Sequence, residues 1–267
     1  MIVRGPIAKM IATPGSPVRY VLPVGSEKLP INDRIGGTFR LRFESEIRCL
    51  HCGRVTRKSF HQGYCYPCFR VLARCDSCMV RPERCHFAAG TCREPAWGEA
   101  HCLVPHTVYL ANSSGVKVGI TRGLDPTTRW IDQGAAAGLA IRRAADRLDA
   151  GRVEVQLAAF VGDRTNWRVM LKGPPEPVDL RAERERLFAL LAAAPRAGGL
   201  PGREIPDAAP LAIEYPVLAY PKKIVAPNLV RSPLLEGTLL GVKGQYLIFD
   251  TGVVNVRKYG GHCFAVE

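Results

Sequence analysis

Apolar and polar positions alternate along residues 38–48, where Phe39, Leu41 and Phe43 are interleaved with Arg40, Arg42 and Glu44. That period of two predicts a half-buried strand. A shorter apolar run, VRYVLPV at 18–24, predicts another. Further on, HTVYLAN (106–112) and VKVGIT (116–121) predict two strands joined by the turn-forming NSSG at 112–115. DPTTRWIDQGAAA (125–137) predicts a helix: Asp125 or Thr127 can cap it, Pro126 fits its first turn, and Gly134 loosens its end. LAIRRAADRLD (139–149) suits helix or strand, and VEVQLAAFV (153–161) predicts a strand. DRTNWRVMLKG (163–173) predicts a helix that begins at Asp163 and stops at GPPEP. The clearest helix is 179–194, with Asp179 as its cap and Leu180, Leu187, Leu190 and Leu191 on one side. Residues 195–210 hold four prolines and three glycines and read as a linker. From about 211 onward, the turns KGQ, DTG and YGG separate three short strands.

These patterns describe an α+β protein in five segments: an N-terminal β segment (1–48), a cysteine-rich metal-binding module (49–105), an α/β domain (106–194), the linker (195–210) and a C-terminal β segment (211–267). Each terminal segment has too few strands to be stable alone, so the two are expected to join in one barrel or sandwich. A chain of 267 residues is long enough for one large domain or two small ones. No run approaches the roughly 18–20 apolar residues that cross a bilayer. Pro6, Pro14 and Pro17 break the N-terminal stretch, which lacks the apolar core of a signal peptide, so a cytoplasmic protein without membrane contact is expected.

The charge changes the picture. The formal net charge is +13, and residues 1–75 carry 13 Lys or Arg against Glu27, Asp33, Glu44 and Glu46. Such an excess suits a phosphate-bearing partner, because each neutralised phosphate releases counterions. Nucleic acid is therefore the expected partner, with RNA favoured over duplex DNA because no helix–turn–helix pattern or recognition helix is apparent. The candidate contacts are Arg54, Arg57, Lys58, Arg70, Lys117, Arg122, Lys243, Arg257 and Lys258.

Nine of the ten cysteines lie between Cys49 and Cys102. In a reducing cytosol clustered thiols point to metal rather than disulfides. Cys49, Cys52, Cys65 and Cys68 form C-x2-C, twelve residues, C-x2-C: two knuckles that can close one tetrahedral zinc site. Cys75, Cys78, Cys85, Cys92 and Cys102 are less regular. Cys75 and Cys78 read as a third knuckle, and the spacing leaves open which thiols complete a second site. It also leaves open whether that site holds zinc or an iron–sulfur cluster, which would make this a redox protein.

Tyr109 in VYL, KVGIT with Gly119, and Arg129 in the following helix together resemble the GIY-YIG nuclease superfamily over residues 106–173. The resemblance implies paired strands carrying the two motifs, a catalytic arginine on the next helix, and a later helix with a glutamate that holds a divalent metal such as magnesium. Tyr109, Lys117, Arg129 and Asp163 are the catalytic candidates, Lys117 standing where better-known members have a second tyrosine. The expected later helix, 163–173, contains no glutamate; Asp163 is its one carboxylate, and Glu154 falls on the preceding expected strand. Loss of cleavage with retention of the fold for binding is the competing expectation, in which Arg129 pairs with Asp132 or Asp163 and Trp130 and Trp167 are core aromatics. The whole chain also resembles an uncharacterised bacterial family with cysteine knuckles, GTCREP, HTVYLANSSG-KVGIT, TRWIDQGA and D-x-TNWR.

Overall fold

A computed structural model describes residues 2–162, 164–194 and 199–267. The chain forms two compact units: Met1–Arg70 with Leu171–Gly173 and Glu214–Glu267, and Val71–Met170 with Pro174–Ile213. The division falls inside the cysteine-rich stretch, between Arg70 and Val71.

The first unit opens with β1 (Val3–Pro6), β2 (Ile11–Thr13), β3 (Arg19–Val24), β4 (Glu27–Pro30) and β5 (Thr38–Ile47), followed by the short helix α1 (Tyr66–Val71). On β5 the expected alternation is realised: Phe39, Leu41 and Phe43 are buried and the intervening residues exposed. In the second unit come α2 (Pro95–His101), β6 (His106–Asn112), β7 (Val116–Arg122), α3 (Thr127–Asp132), β8 (Ala137–Ala144), α4 (Arg147–Leu157), α5 (Trp167–Met170), α6 (Leu180–Ala192), β9 (Arg203–Glu204) and β10 (Leu211–Ala212). The chain then returns to the first unit with β11 (Leu234–Lys243), β12 (Tyr246–Phe249), β13 (Val253–Asn255) and β14 (His262–Val266).

The terminal segments do share one sheet, of order β1-β14-β5-β11-β12-β13, and a separate sheet runs β2-β3-β4. Pairing is antiparallel, with β5 between β14 and β11. The six strands do not close into the expected barrel. The free side of β1 is occupied by the β3–β4 hairpin: Gly25 donates to the Pro6 carbonyl at 2.9 Å, and Ile7 bridges Val24. Gly5 and Gly25 approach so closely there that a Cβ on Gly5 would stand 2.7 Å from the Gly25 Cα. Four C-terminal strands appear where three were expected, because the chain after Tyr259 contributes β14, buried along its length.

In the second unit the sheet runs β10-β8-β6-β7, with β9 on β8. β6 is central and wholly buried. Its Val108 and Leu110 face a core shared with Ala150, Val153 and Leu157 of α4 and Leu180, Leu187 and Leu191 of α6. Tyr109 and Ala111 face the other side, against Trp130 and Ala135.

Three expectations change here. Residues 153–161 are not a strand; α4 takes 147–157, with Asp146 capping it by accepting from the Asp149 amide at 2.8 Å. Ala150, Val153 and Leu157 share its buried stripe, while the period-two look of Val153 and Val155 is incidental. The ambiguous 139–149 divides between the end of β8 and the start of α4. The helix expected from 163 reduces to α5, started by Asn166, whose side chain accepts from the Arg168 and Val169 amides. Asp163 itself, and residues 195–198 of the expected linker, lie outside the described residues. Among the described residues no helix is long and apolar enough to cross a membrane.

Candidate functional site

The first thiol group grows out of the end of β5. Cys49 follows Arg48, which bridges Val55, and the knuckle closes through Gly53, whose amide donates to the Cys49 carbonyl at 2.9 Å. Gly53 has φ +71°, a conformation that glycine adopts without a Cβ penalty. Cys65 precedes α1 and Cys68 lies within it. The four sulfur atoms all lie within 4.8 Å of one another, and Cys52 Sγ stands 3.8 Å from Cys65 Sγ. Zinc bound at ~2.3 Å to each thiolate has a tetrahedral S–S edge of about 3.8 Å. The group can therefore hold a metal such as zinc.

Its electrostatics fit a cation. Burial pushes the Cys49 thiol up, yet hydrogen bonds from the Cys52, Cys65 and His51 backbone overcome this and bring it down to about 6. Burial and the neighbouring thiols push Cys68 the other way. Four crowded thiols cannot all ionise unless a positive ion sits among them. Around them Arg54, Arg57, Lys58 and Arg70 are exposed. Lys58 Nζ lies over the Phe60 ring at 5.2 Å and the Arg70 guanidinium over Tyr66 at 5.9 Å, and Phe60 contacts both Tyr66 and Phe69.

The second thiol group is carried by a succession of short 3-10 turns and α2. Cys78, Cys85, Cys92 and Cys102 line one void, and Cys75 is buried. Asp76 is fixed beside them by Arg93 Nε at 2.7 Å and by the Cys78 amide at 3.3 Å. The ligand atoms of Asp76, Cys78 and His86 also lie within 4.8 Å of one another.

The third constellation occupies the hairpin. Tyr109 on β6 is paired with Gly119 on β7, and its ring crosses the glycine so tightly that a Cβ would stand 2.5 Å from the phenol oxygen. Gln133 donates to that oxygen at 2.8 Å, and Trp130 packs edge-on with ring centroids 6.0 Å apart. Burial raises the Tyr109 phenol, opposed by the charge and hydrogen bond of Arg129; Glu154 acts with burial. Both Arg129 and Glu154 are thus within electrostatic reach of the phenol, and both are half-buried. Glu154, which sequence reasoning put on a strand, is held there by α4.

Arg147 links this constellation to the second thiol group. Its backbone amide donates to the Cys102 carbonyl and its guanidinium to the Met79 carbonyl, both at 2.8 Å. Burial lowers its pKa, opposed by the nearby Cys102, Glu154 and Cys78.

The other candidates scatter. Lys117 is buried on β7, opposite Ala111. Arg122 and Lys258 are exposed and Arg257 is half-buried. Lys243 is 1% exposed, donating to the Gly173 carbonyl at 3.0 Å and lying near the Tyr215 and Tyr220 rings, which withdraws it from any surface contact. A run of basic residues in sequence could not distinguish these positions, because burial depends on pairing in the sheet.

A family model described as "Protein of unknown function (DUF2797)" matches residues 36–264. No curated protein and no solved structure matches the chain.

Proposed function

The chain belongs to that family, and we propose that it is a zinc-containing nucleic-acid-binding protein, RNA favoured, whose second unit hydrolyses phosphodiester bonds. The observation that carries this reading is the Tyr109 phenol within electrostatic reach of both Arg129 and Glu154. These side chains come from strand, helix and helix in the order β6-β7-α3-β8-α4, which is the order the GIY-YIG resemblance implies: paired strands, an arginine helix, then a glutamate helix. α4 carries a glutamate, Glu154, where the helix expected over 163–173 has none.

Phosphodiester hydrolysis needs a cation for the charge that develops on phosphorus and a means of making hydroxide. Arg129, half-exposed, serves the first need. Glu154 would serve the second by holding a magnesium ion. Magnesium is commonly held by one or two carboxylates together with waters and substrate phosphates, so a single glutamate suits it. When bound, the ion would supply positive charge and acidify a coordinated water. Tyr109 is wholly buried, so its part is to orient Arg129 through their hydrogen bond. Lys117 is buried on β7 and likewise withdrawn from substrate.

The first unit supplies the grip. Zinc at Cys49, Cys52, Cys65 and Cys68 pins a loop on which the exposed Arg54, Arg57, Lys58 and Arg70 flank Phe60, Tyr66 and Phe69. Rings that accept stacked bases beside cations that meet phosphates suit a single strand, each stacked base contributing about 1–3 kcal/mol. Helix α1 is six residues long, too short to act as a major-groove reader.

The test uses labelled single-stranded RNA, single-stranded DNA and duplex DNA, with magnesium or chelator, read for both shift and cleavage. Wild type is expected to cut a single strand only with magnesium. Arg129→Ala and Glu154→Gln should cut at least a hundredfold more slowly while still shifting the strand. Cleavage that survives in both variants overturns the catalytic assignment. Shifts without cuts in wild type leave binding alone, and an affinity indifferent to salt removes the electrostatic basis of that binding.

A further inference from the structure

We propose that a single zinc ion binds in the second unit between the Asp76 carboxylate, the Cys78 thiolate and the His86 imidazole, with a fourth ligand from the remaining thiols around them. The assignment stands apart from the nucleic-acid reading and rests on how these donors are arranged.

The ligand atoms of the three residues lie within 4.8 Å of one another. Asp76 caps the turn Ser77–Met79 by accepting from the Cys78 amide, which sets the carboxylate and the thiol side by side. The turn Pro82–Arg84 then brings His86 back to them. All three line the void shared by Cys85, Cys92 and Cys102, which measures about 20 Å³. One water requires ~10–15 Å³, so the space admits one small occupant.

A hydrogen-bond chain and one distance make that occupant a cation. Thr91 Oγ1 donates to the His86 carbonyl at 3.3 Å. A hydroxyl has a single proton to give, so towards His86 Nδ1, at 2.8 Å, the same oxygen accepts. A neutral imidazole held in this way presents Nε2 as an acceptor. Nε2 stands 3.5 Å from Asp76 Oδ2, which is also an acceptor. Two acceptors at that separation repel unless positive charge lies between them. Protonation of His86 does not account for the distance, because a charge-assisted hydrogen bond would draw the pair to ~2.7–2.9 Å. Zinc bound at ~2.0–2.1 Å to nitrogen and ~2.0–2.2 Å to oxygen has a tetrahedral N–O edge of about 3.4 Å.

The surroundings suit the same ion. A metal-bound imidazole gives its other N–H to an oxygen, and a ligating carboxylate is itself hydrogen-bonded. Thr91 serves the imidazole, and Arg93 Nε at 2.7 Å and Ser77 Oγ at 3.2 Å serve the carboxylate. Between α1 and α2 the chain forms only short 3-10 turns. A bound ion would give so irregular a stretch its fixed course.

The experiment measures zinc per chain in the whole protein and then X-ray absorption at the zinc edge. About two zinc ions are expected, one for each group of ligands. His86→Ala and Cys78→Ala should each lose one of the two while the amides of β6, β7 and β8 stay protected. At least one alanine variant among Cys75, Cys85, Cys92 and Cys102 should do the same. Cys65→Ser, which empties the first site, should leave one zinc whose shell mixes sulfur at ~2.3 Å with nitrogen and oxygen at ~2.0–2.2 Å. That variant keeps every ligand of the second site, so its spectrum gives an answer even where a ligand substitution disturbs folding. A single zinc in wild type, an all-sulfur shell in Cys65→Ser, or both zinc ions retained in His86→Ala and Cys78→Ala overturns the proposal. So does iron with sulfide in place of the second zinc. A chain with both zinc ions and the mixed shell that neither shifts nor cuts nucleic acid would count against the nucleic-acid reading and leave this one standing.

Discussion

Two thiol quartets in two units of one chain make different cages. In the first, two knuckles of identical spacing bring four sulfur atoms within 4.8 Å; in the second, four thiols spaced irregularly along 3-10 turns and one helix surround a void without converging. A knuckle fixes its own two thiolates locally, so its metal is written into the spacing. The second cage is assembled by tertiary packing, and what fits it depends on the walls.

The largest expected effect lies in the first quartet. Structural zinc contributes on the order of 10–16 kcal/mol to small zinc-dependent folds, and the loop from 49 to 70 contains little regular structure besides α1. Cys65→Ser should release the metal and leave the amides of 50–64 exchanging rapidly, while β5, β11 and β14, held by their own ladders, stay protected. Protection unchanged in the loop would show that metal does not hold it.

Next in size is the buried cation of each unit. Arg147 has thiols and Glu154 near it, whereas Lys243 has aromatic rings and a carbonyl, and burial brings its pKa down to about 8. The folded value lies below the unfolded one, so the unfolded chain binds the proton more tightly. Stability must therefore rise as pH increases from about 8 to 10.5. A shift of this size corresponds to roughly 3 kcal/mol at neutral pH. Lys243→Met should flatten that rise, measured by denaturant unfolding at pH 7, 8.5 and 10; an unchanged slope would assign it elsewhere.

Gly151 sharpens the contrast from the other side. A Cβ there would stand 2.6 Å from Pro82 Cγ and 2.8 Å from the Glu83 amide, so α4 is seated against the turn between Cys78 and Cys85. Gly151→Ala should cost about 1–3 kcal/mol by overpacking, and lower cleavage with it. The zinc of the first unit should be untouched. Cleavage at the wild-type rate would mean that the seat serves the thiols alone.

Much of this was open to reading in the chain and some was not. Strand β5 was legible because Phe39, Leu41 and Phe43 face one side of a sheet whose other face is wet, and the first quartet because its spacing repeats. The unit boundary at Arg70 was hidden, since cysteines continue across it. The second quartet was hidden because four of five similar thiols share a void that only packing creates. The misreading of α4 mattered most: Val153 and Val155 imitate a strand, and the ambiguous stretch before them concealed the helix start. Asp146 as a cap, followed by Ala150, Val153 and Leu157 at helical spacing, was the available signal.

That signal gives the smallest and most discriminating prediction. Asp146 caps α4 and Asp179 caps α6, each accepting from backbone amides at the helix start. Replacing either with alanine should cost about 1 kcal/mol, so thermal unfolding alone would not tell them apart. Their functions should. The first turn of α4 holds Arg147 and its second holds Glu154, whereas α6 contributes Leu180, Leu187 and Leu191 to the core and none of the catalytic candidates. Asp146→Ala should therefore lower cleavage several-fold beyond the loss in Asp179→Ala at matched stability. If the two variants lose activity equally, α4 is only a wall of the core, and the carboxylate for the metal must be sought elsewhere than at Glu154.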